Sequence, residues 1–189
     1  LLEEIAIRSA AVTALGEREA LLDAVLAAVA ARLVDEDSAV RRAAVGALGE
    51  REALPDAVLA AVAARLDNED SDVRWAAVTA LGEREALPDA VLAAVAARLD
   101  DKHPDVRSAA VKALGEREAL PDAVLAAVAA RLNDKHPDVR SAAVGALGER
   151  EALLDVVLAA VAARLDDEHS AVRSAAVKAL GERGGGGAA

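Results

Sequence analysis

Residues 86–118 read ALPDAVLAAVAARLDDKHPDVRSAAVKALGERE, and residues 119–151 repeat them almost letter for letter. Looser copies flank both. The glycine of the recurring Ala-Leu-Gly-Glu-Arg motif stands at Gly16, Gly49, Gly82, Gly115, Gly148 and Gly181, each 33 residues after the last. A fixed period of this size marks a solenoid, in which one supersecondary unit stacks on the next and the core is a ribbon.

Within residues 119–151, apolar Leu120, Val124, Leu125, Val128 and Leu132 recur at steps of four, one, three and four, one stripe of an α-helix. Pro121 suits the first turn of this helix A, where a missing N–H costs nothing, and Asp122 suits the positive end of its dipole. The polar stretch from Asn133 to His136 ends it. Pro137 and Asp138 then open helix B, whose inward face carries Val139, Ala143, Ala146 and Leu147. Gly148 either sits in the last turn of helix B or follows it as a left-handed cap.

Aligning the copies yields one array over residues 1–183: a half repeat at 1–19 and full repeats at 20–52, 53–85, 86–118, 119–151 and 152–183. That is a lone helix B from Ile5 to Arg18 followed by five A and B pairs, eleven helices in all. Residues 184–189 open on four glycines and are expected to form a flexible tail. The fold class is all-α, an α-solenoid of helix-pair repeats.

Composition narrows the function. Thirty-three acids against 22 bases leave a net charge of -11, which disfavours nucleic acid and anionic membranes as partners. Apolar runs such as Ala90 to Ala97 are about half the length a bilayer span needs. The expectation is a soluble, cytoplasmic protein. There is no Cys, Met, Phe or Tyr, and Trp75 is the single aromatic residue, so disulfides and thiolate metal sites are excluded and the core must be Ala, Val and Leu.

The stretch Asp105-Val106-Arg107-Ser108-Ala109-Ala110-Val111-Lys112-Ala113-Leu114-Gly115 resembles the second helix of HEAT-like repeats, in the form also found in phycobilisome-lyase-type HEAT proteins. The resemblance covers essentially the whole chain. It implies a right-handed superhelix with A helices on the convex side and B helices lining a concave, partner-binding face. The near-identity of the copies is also similar to that of artificial consensus-repeat proteins. For the row Arg8, Arg41, Arg74, Arg107, Arg140 and Arg173, the resemblance implies a ladder of charge-assisted hydrogen bonds between repeats. The acid two residues earlier, such as Asp72, Asp105 or Asp138, is its expected partner, so Ala39 and Ala171 should weaken the ladder.

Differences between copies separate packing from freedom. Helix A hardly changes. Helix B varies at two positions four apart, first Ser9, Arg42, Trp75, Ser108, Ser141 and Ser174, then Thr13, Gly46, Thr79, Lys112, Gly145 and Lys178. Residues four apart share a helical face, and this one points away from Val139, Ala143 and Leu147. Stacked at about 8–10 Å, these positions form a track across the array. Trp75, Arg42, Thr79, Ser108, Lys112, Ser141 and Lys178 are therefore the candidate binding residues, with Trp75 as anchor because Trp and Arg dominate interface hot spots. Gly46 and Gly145, each costing about 1 kcal/mol against Ala in a helix, suggest a need for space on the same face.

Chemistry finds little support. His103, His136 and His169 share a slot in successive repeats, but about 10 Å apart they cannot reach one zinc ion, whose ligands lie about 2 Å away. The loop acids near Asp101 and from Asp67 to Asp72 are explained by helix capping. Ser108 lies five positions from His103, about 140° around the helix, so no nucleophile and base pair faces. Small aliphatic residues offer no cofactor pocket, and no cofactor, metal or catalytic residue is expected. Two readings remain: a non-catalytic scaffold binding a protein or peptide in the concave groove, and a scaffold that stacks end to end on itself. The second follows from the last helix, Ser170 to Arg183, keeping Val172, Ala176 and Leu180 like an internal copy, unless a longer array has been trimmed.

Overall fold

A computed structural model describes residues 22–51, 53–150 and 155–185. The described residues hold ten helices and no strand: α1 (22–30), α2 (Ser38–Gly49), α3 (Asp56–Ala63), α4 (Ser71–Gly82), α5 (Asp89–Ala97), α6 (Pro104–Gly115), α7 (Asp122–Ala130), α8 (Pro137–Gly148), α9 (Asp155–Ala162) and α10 (Ser170–Gly185). They alternate as the A and B helices of an α-solenoid. The expected lone helix at Ile5 to Arg18 lies outside the described residues. α10 runs to Gly185, two residues into the expected tail, because extending a formed helix gains one hydrogen bond per residue and no proline interrupts it.

Local chemistry sets the helix ends. Pro55, Pro88 and Pro121 occupy the N-cap at φ -56°, one position earlier than a first-turn proline, and Asp56, Asp89 and Asp122 follow as the first helical residues. The Pro121 carbonyl accepts from the Val124 and Leu125 N–H groups at 2.9 and 3.0 Å. Before α4, the Asp70 carboxylate accepts from Asp72 N at 2.8 Å, so those backbone donors hold its carboxyl below the usual range. α6 and α8 begin with Pro104 and Pro137 at the first helical position, where the missing N–H would have had no intrahelical acceptor.

The predicted stripe is the core. Leu66, Leu99 and Leu132 from the A side and Leu48, Leu81, Leu114 and Leu147 from the B side are buried, each contributing about 1.5–3 kcal/mol. B helices bury more than one stripe. Val45, Val78, Val111 and Val144, outside the predicted inward face, are fully covered because every internal B helix packs on a neighbour at each side.

Gly148 is the last residue of α8, and no described residue has a positive φ, which settles the alternative left open by sequence. The motif glycine is there for closeness. A Cβ built at Gly49, Gly82, Gly115 or Gly148 would stand 2.8, 2.7, 2.5 or 2.4 Å from the Cβ of Ala80, Ala113, Ala146 or Ala179 on the next B helix. B helices therefore touch one another along the array, while A helices meet sparingly.

The arginine ladder exists with a different acid. Arg74 donates to Asp101 at 2.7 and 2.9 Å, Arg107 to Asp134 at 2.8 and 2.7 Å, and Arg140 to Asp167 at 2.9 and 2.7 Å, each carboxylate lying 27 residues on. Asp72, Asp105 and Asp138 are exposed and take no part, so Ala39 and Ala171 do not weaken the ladder. The weak rung is Asn68, which meets Arg41 at 3.3 Å and leaves Arg41 Nε buried without an acceptor. Burial acts to raise the Asp101 and Asp134 carboxyls, but the arginine and the N–H two residues on hold both below their usual range. For Asp167 the Arg140 hydrogen bonds dominate to the same effect.

A second row escaped the sequence reading. Arg65, Arg98, Arg131 and Arg164 each donate to a leucine carbonyl one repeat back, at 2.9–3.1 Å. These caps satisfy helix-end carbonyls that no intrahelical donor reaches.

Candidate functional site

Two adjoining troughs of about 460 and 480 Å³ open over the B helices α4, α6, α8 and α10. Trp75, Thr79, Ser108 and Lys112 line the first, and Ser108, Lys112, Ser141, Gly145 and Lys178 line the second. The troughs meet at Ser108 and Lys112. Positions that vary between copies thus gather on one surface, because the four-residue step repeats at the same register on consecutive B helices.

Individual residues differ from the uniform exposure expected of them. Trp75 is 44 % exposed, and the Thr79 hydroxyl is turned back to the Trp75 carbonyl at 3.0 Å. Ser108 is only 9 % exposed, which corrects its placement as a freely projecting residue. It is a short side chain with the large Trp75 at the equivalent position one repeat earlier. Ser141, flanked by serines, is half-buried, and Ser174 on α10 is exposed. Arg42 is exposed but lines neither trough; its guanidinium lies 3.9 Å from Asp72. Lys112 and Lys178 are exposed, while Ser9 and Thr13 lie outside the described residues. A Cβ at Gly46 or Gly145 would meet nothing within 4 Å, so no protein contact demands glycine there.

The troughs also carry acids that the comparison of copies passed over. Glu83, Asp105, Glu116, Asp138, Glu149 and Glu182 line them beside the two lysines. The glutamates recur in every repeat, and a search for varied positions is blind to a functional residue that never varies. The signal of these acids was the charge itself, at the first and last turns of each B helix.

No group of three or more His, Cys, Asp or Glu among the described residues is placed to hold a metal ion. His103 and His136 sit at the N-caps of α6 and α8, the latter accepting from Asp138 N at 3.3 Å. Ser108 has no hydrogen-bond partner among the described residues, and so no base to activate it. No described helix is long and apolar enough to cross a membrane.

Solved structures share the architecture. The X-ray structure of the Escherichia coli protein YibA matches with a TM-score of 0.74 at 20% identity, over 85% of this chain and 60% of that one. The complex of CpcE and CpcF of phycocyanin lyase from Nostoc matches at 0.63 and 21% identity, covering 80% of this chain and 62% of that one. A designed armadillo repeat protein in complex with the peptide (KR)4 matches at 0.61 and 16% identity, over 87% and 84% of the two chains. Likeness at these identities speaks for the fold. No curated protein matches in sequence. The family described as HEAT repeats matches residues 2–82, 59–148 and 125–189, and with the paired helices and their stacked core this places the chain in the HEAT repeat family.

Proposed function

We propose that the chain is a non-catalytic scaffold that binds a protein or peptide partner in the concave groove of its B helices. One observation carries this. Trp75 is 44 % exposed in a trough that it lines with Thr79, Ser108 and Lys112, all at positions where otherwise near-identical repeats differ. A large exposed aromatic ring amid serines has no packing role, and Trp is the residue most enriched at binding hot spots. The designed armadillo protein of similar fold is described with a peptide bound, which agrees with such use of a helical groove. The likeness to a phycocyanin lyase complex, at 21% identity, is one of fold and adds no chemistry.

The test is selection from a random-peptide display library on the immobilised chain, followed by titration of the selected peptides. Trp75 is the sole aromatic residue, so its emission reports on the groove directly. Selected peptides should shift it to the blue and should bind Trp75→Ser several-fold more weakly. Peptides that bind Trp75→Ser and the intact chain equally would sink the proposal.

A second reading concerns α10. Val177 is 62 % exposed although its counterparts on α2, α4, α6 and α8 are fully buried, and a Cβ at Gly181 meets nothing within 4 Å. That face keeps the chemistry of an inter-repeat junction, which supports end-to-end association of copies. Sedimentation equilibrium should show mass rising with concentration and Val177→Asp abolishing the rise; a monomer at all concentrations rejects it.

A further inference from the structure

We infer that the trough beside Trp75 takes a cationic side chain, and that the groove's partner is an extended peptide segment rich in arginine or lysine. This rests on the concave-groove reading and narrows it to one class of partner.

The charges point that way first. The two troughs together hold six carboxylates against Lys112 and Lys178. Glu83, Glu149 and Glu182 make no ion pair or hydrogen bond with any described residue, and Glu116 interacts only at longer range with Arg117, in contrast to the ladder acids Asp101, Asp134 and Asp167. An anionic partner would be repelled there, and an apolar one would strip water from unpaired carboxylates without replacing it.

The second observation is the company Trp75 keeps. Its exposed indole shares a trough with Glu83, Asp105 and Glu116. An aromatic face beside carboxylates suits a guanidinium or ammonium group, which the ring attracts through its quadrupole and the carboxylates through charge-assisted hydrogen bonds. Ser108 is the third. It is nine-tenths buried, unpartnered among the described residues, and opens on both troughs. Its hydroxyl is reached from the troughs and not sealed in the core, so a peptide backbone group laid over the α6 floor can hydrogen-bond it in place of water.

Periodicity selects an extended chain. The four glutamates recur on successive B helices about 8–10 Å apart, and an extended peptide advances about 3.3 Å per residue. A cation at every third position therefore meets one glutamate per repeat. Gly145 leaves open space between Lys112 and Lys178 along that path.

The experiment titrates the full chain, at low salt, with acetylated and amidated (Arg-Thr-Ser)3 and with the same peptide carrying Glu or Leu for Arg, reading Trp75 emission. The arginine peptide should shift the emission saturably, with affinity falling as salt is raised. By polarisation of a fluorescein-labelled peptide, Glu116→Gln should weaken binding about threefold and Trp75→Ser about fivefold. Glu118→Gln, an equal charge change on the turn outside the troughs, should leave it unchanged. If Glu118→Gln weakens binding as much as Glu116→Gln, only net charge is at work and the inference falls. If the Glu or Leu peptide shifts Trp75 and the Arg peptide does not, the groove stands and the cationic partner is wrong. If no peptide moves Trp75, or the Arg peptide binds Trp75→Ser and the intact chain equally, the groove reading falls with it.

Discussion

Residues 112–117 and 178–183 spell the same six letters, Lys-Ala-Leu-Gly-Glu-Arg, yet glycine-to-alanine exchange should have opposite effects in the two places. A Cβ at Gly115 would stand 2.5 Å from the Ala146 Cβ and 3.0 Å from its Cα. Carbon atoms rest about 3.5–4.0 Å apart, so α6 and α8 must separate by on the order of 1 Å. Such overpacking costs about 1–3 kcal/mol, against which alanine recovers at most about 1 kcal/mol of helix propensity. Gly115→Ala should therefore destabilise by about 1–2 kcal/mol. At Gly181 the new methyl meets nothing within 4 Å, only the propensity term acts, and Gly181→Ala should stabilise by up to about 1 kcal/mol. Urea unfolding at low protein concentration, followed by circular dichroism, reads both. With a slope of about 1–3 kcal/mol/M, the Gly115→Ala midpoint should drop by about 0.5–1 M and the Gly181→Ala midpoint should rise. An unchanged or raised midpoint for Gly115→Ala would refute the argument that close approach of B helices, and not a turn, requires glycine.

The ladder supplies the other predictions. Asp134→Ala strands the buried Arg107 guanidinium and should cost about 3–5 kcal/mol in the same urea assay, far more than an exposed pair. Asn68→Asp should raise stability, since a second carboxylate oxygen can accept from Arg41 Nε while the first keeps the 3.1 Å bond from Asp70 N; a lowered midpoint would count against the weak-rung assignment. Acid should unfold the array through the ladder. Asp101, Asp134 and Asp167 are held below the ordinary carboxyl value in the folded chain and titrate near about 3.9 when unfolded. The unfolded state thus takes up protons first, and the contribution is complete above that value and lost as pH falls below it. The urea midpoint should be flat from pH 8 to 5.5 and drop below about pH 4, with a shallower drop in Asp134→Ala.

What could be read from the letters alone followed from periodicity. A 33-residue recurrence with apolar residues at helical steps dictates paired helices, their order and their inward leucines, because side-chain direction along a helix depends on local spacing. Prolines and acids marked the helix starts to within a residue for the same reason. The motif glycine and the helix B arginine were equally visible, but their purposes were not, since each concerns a partner 27 to 31 residues away. Only the stacked structure shows that Arg74 reaches Asp101 and not Asp72, and that Gly115 makes way for Ala146. It also shows Ser108 recessed where Ser174 is exposed, and invariant glutamates sharing a groove with Trp75. Every repeat carries nearly the same local instructions, so the environment of a given residue depends on what the neighbouring copy presents across the interface. That information resides in the packing of successive repeats.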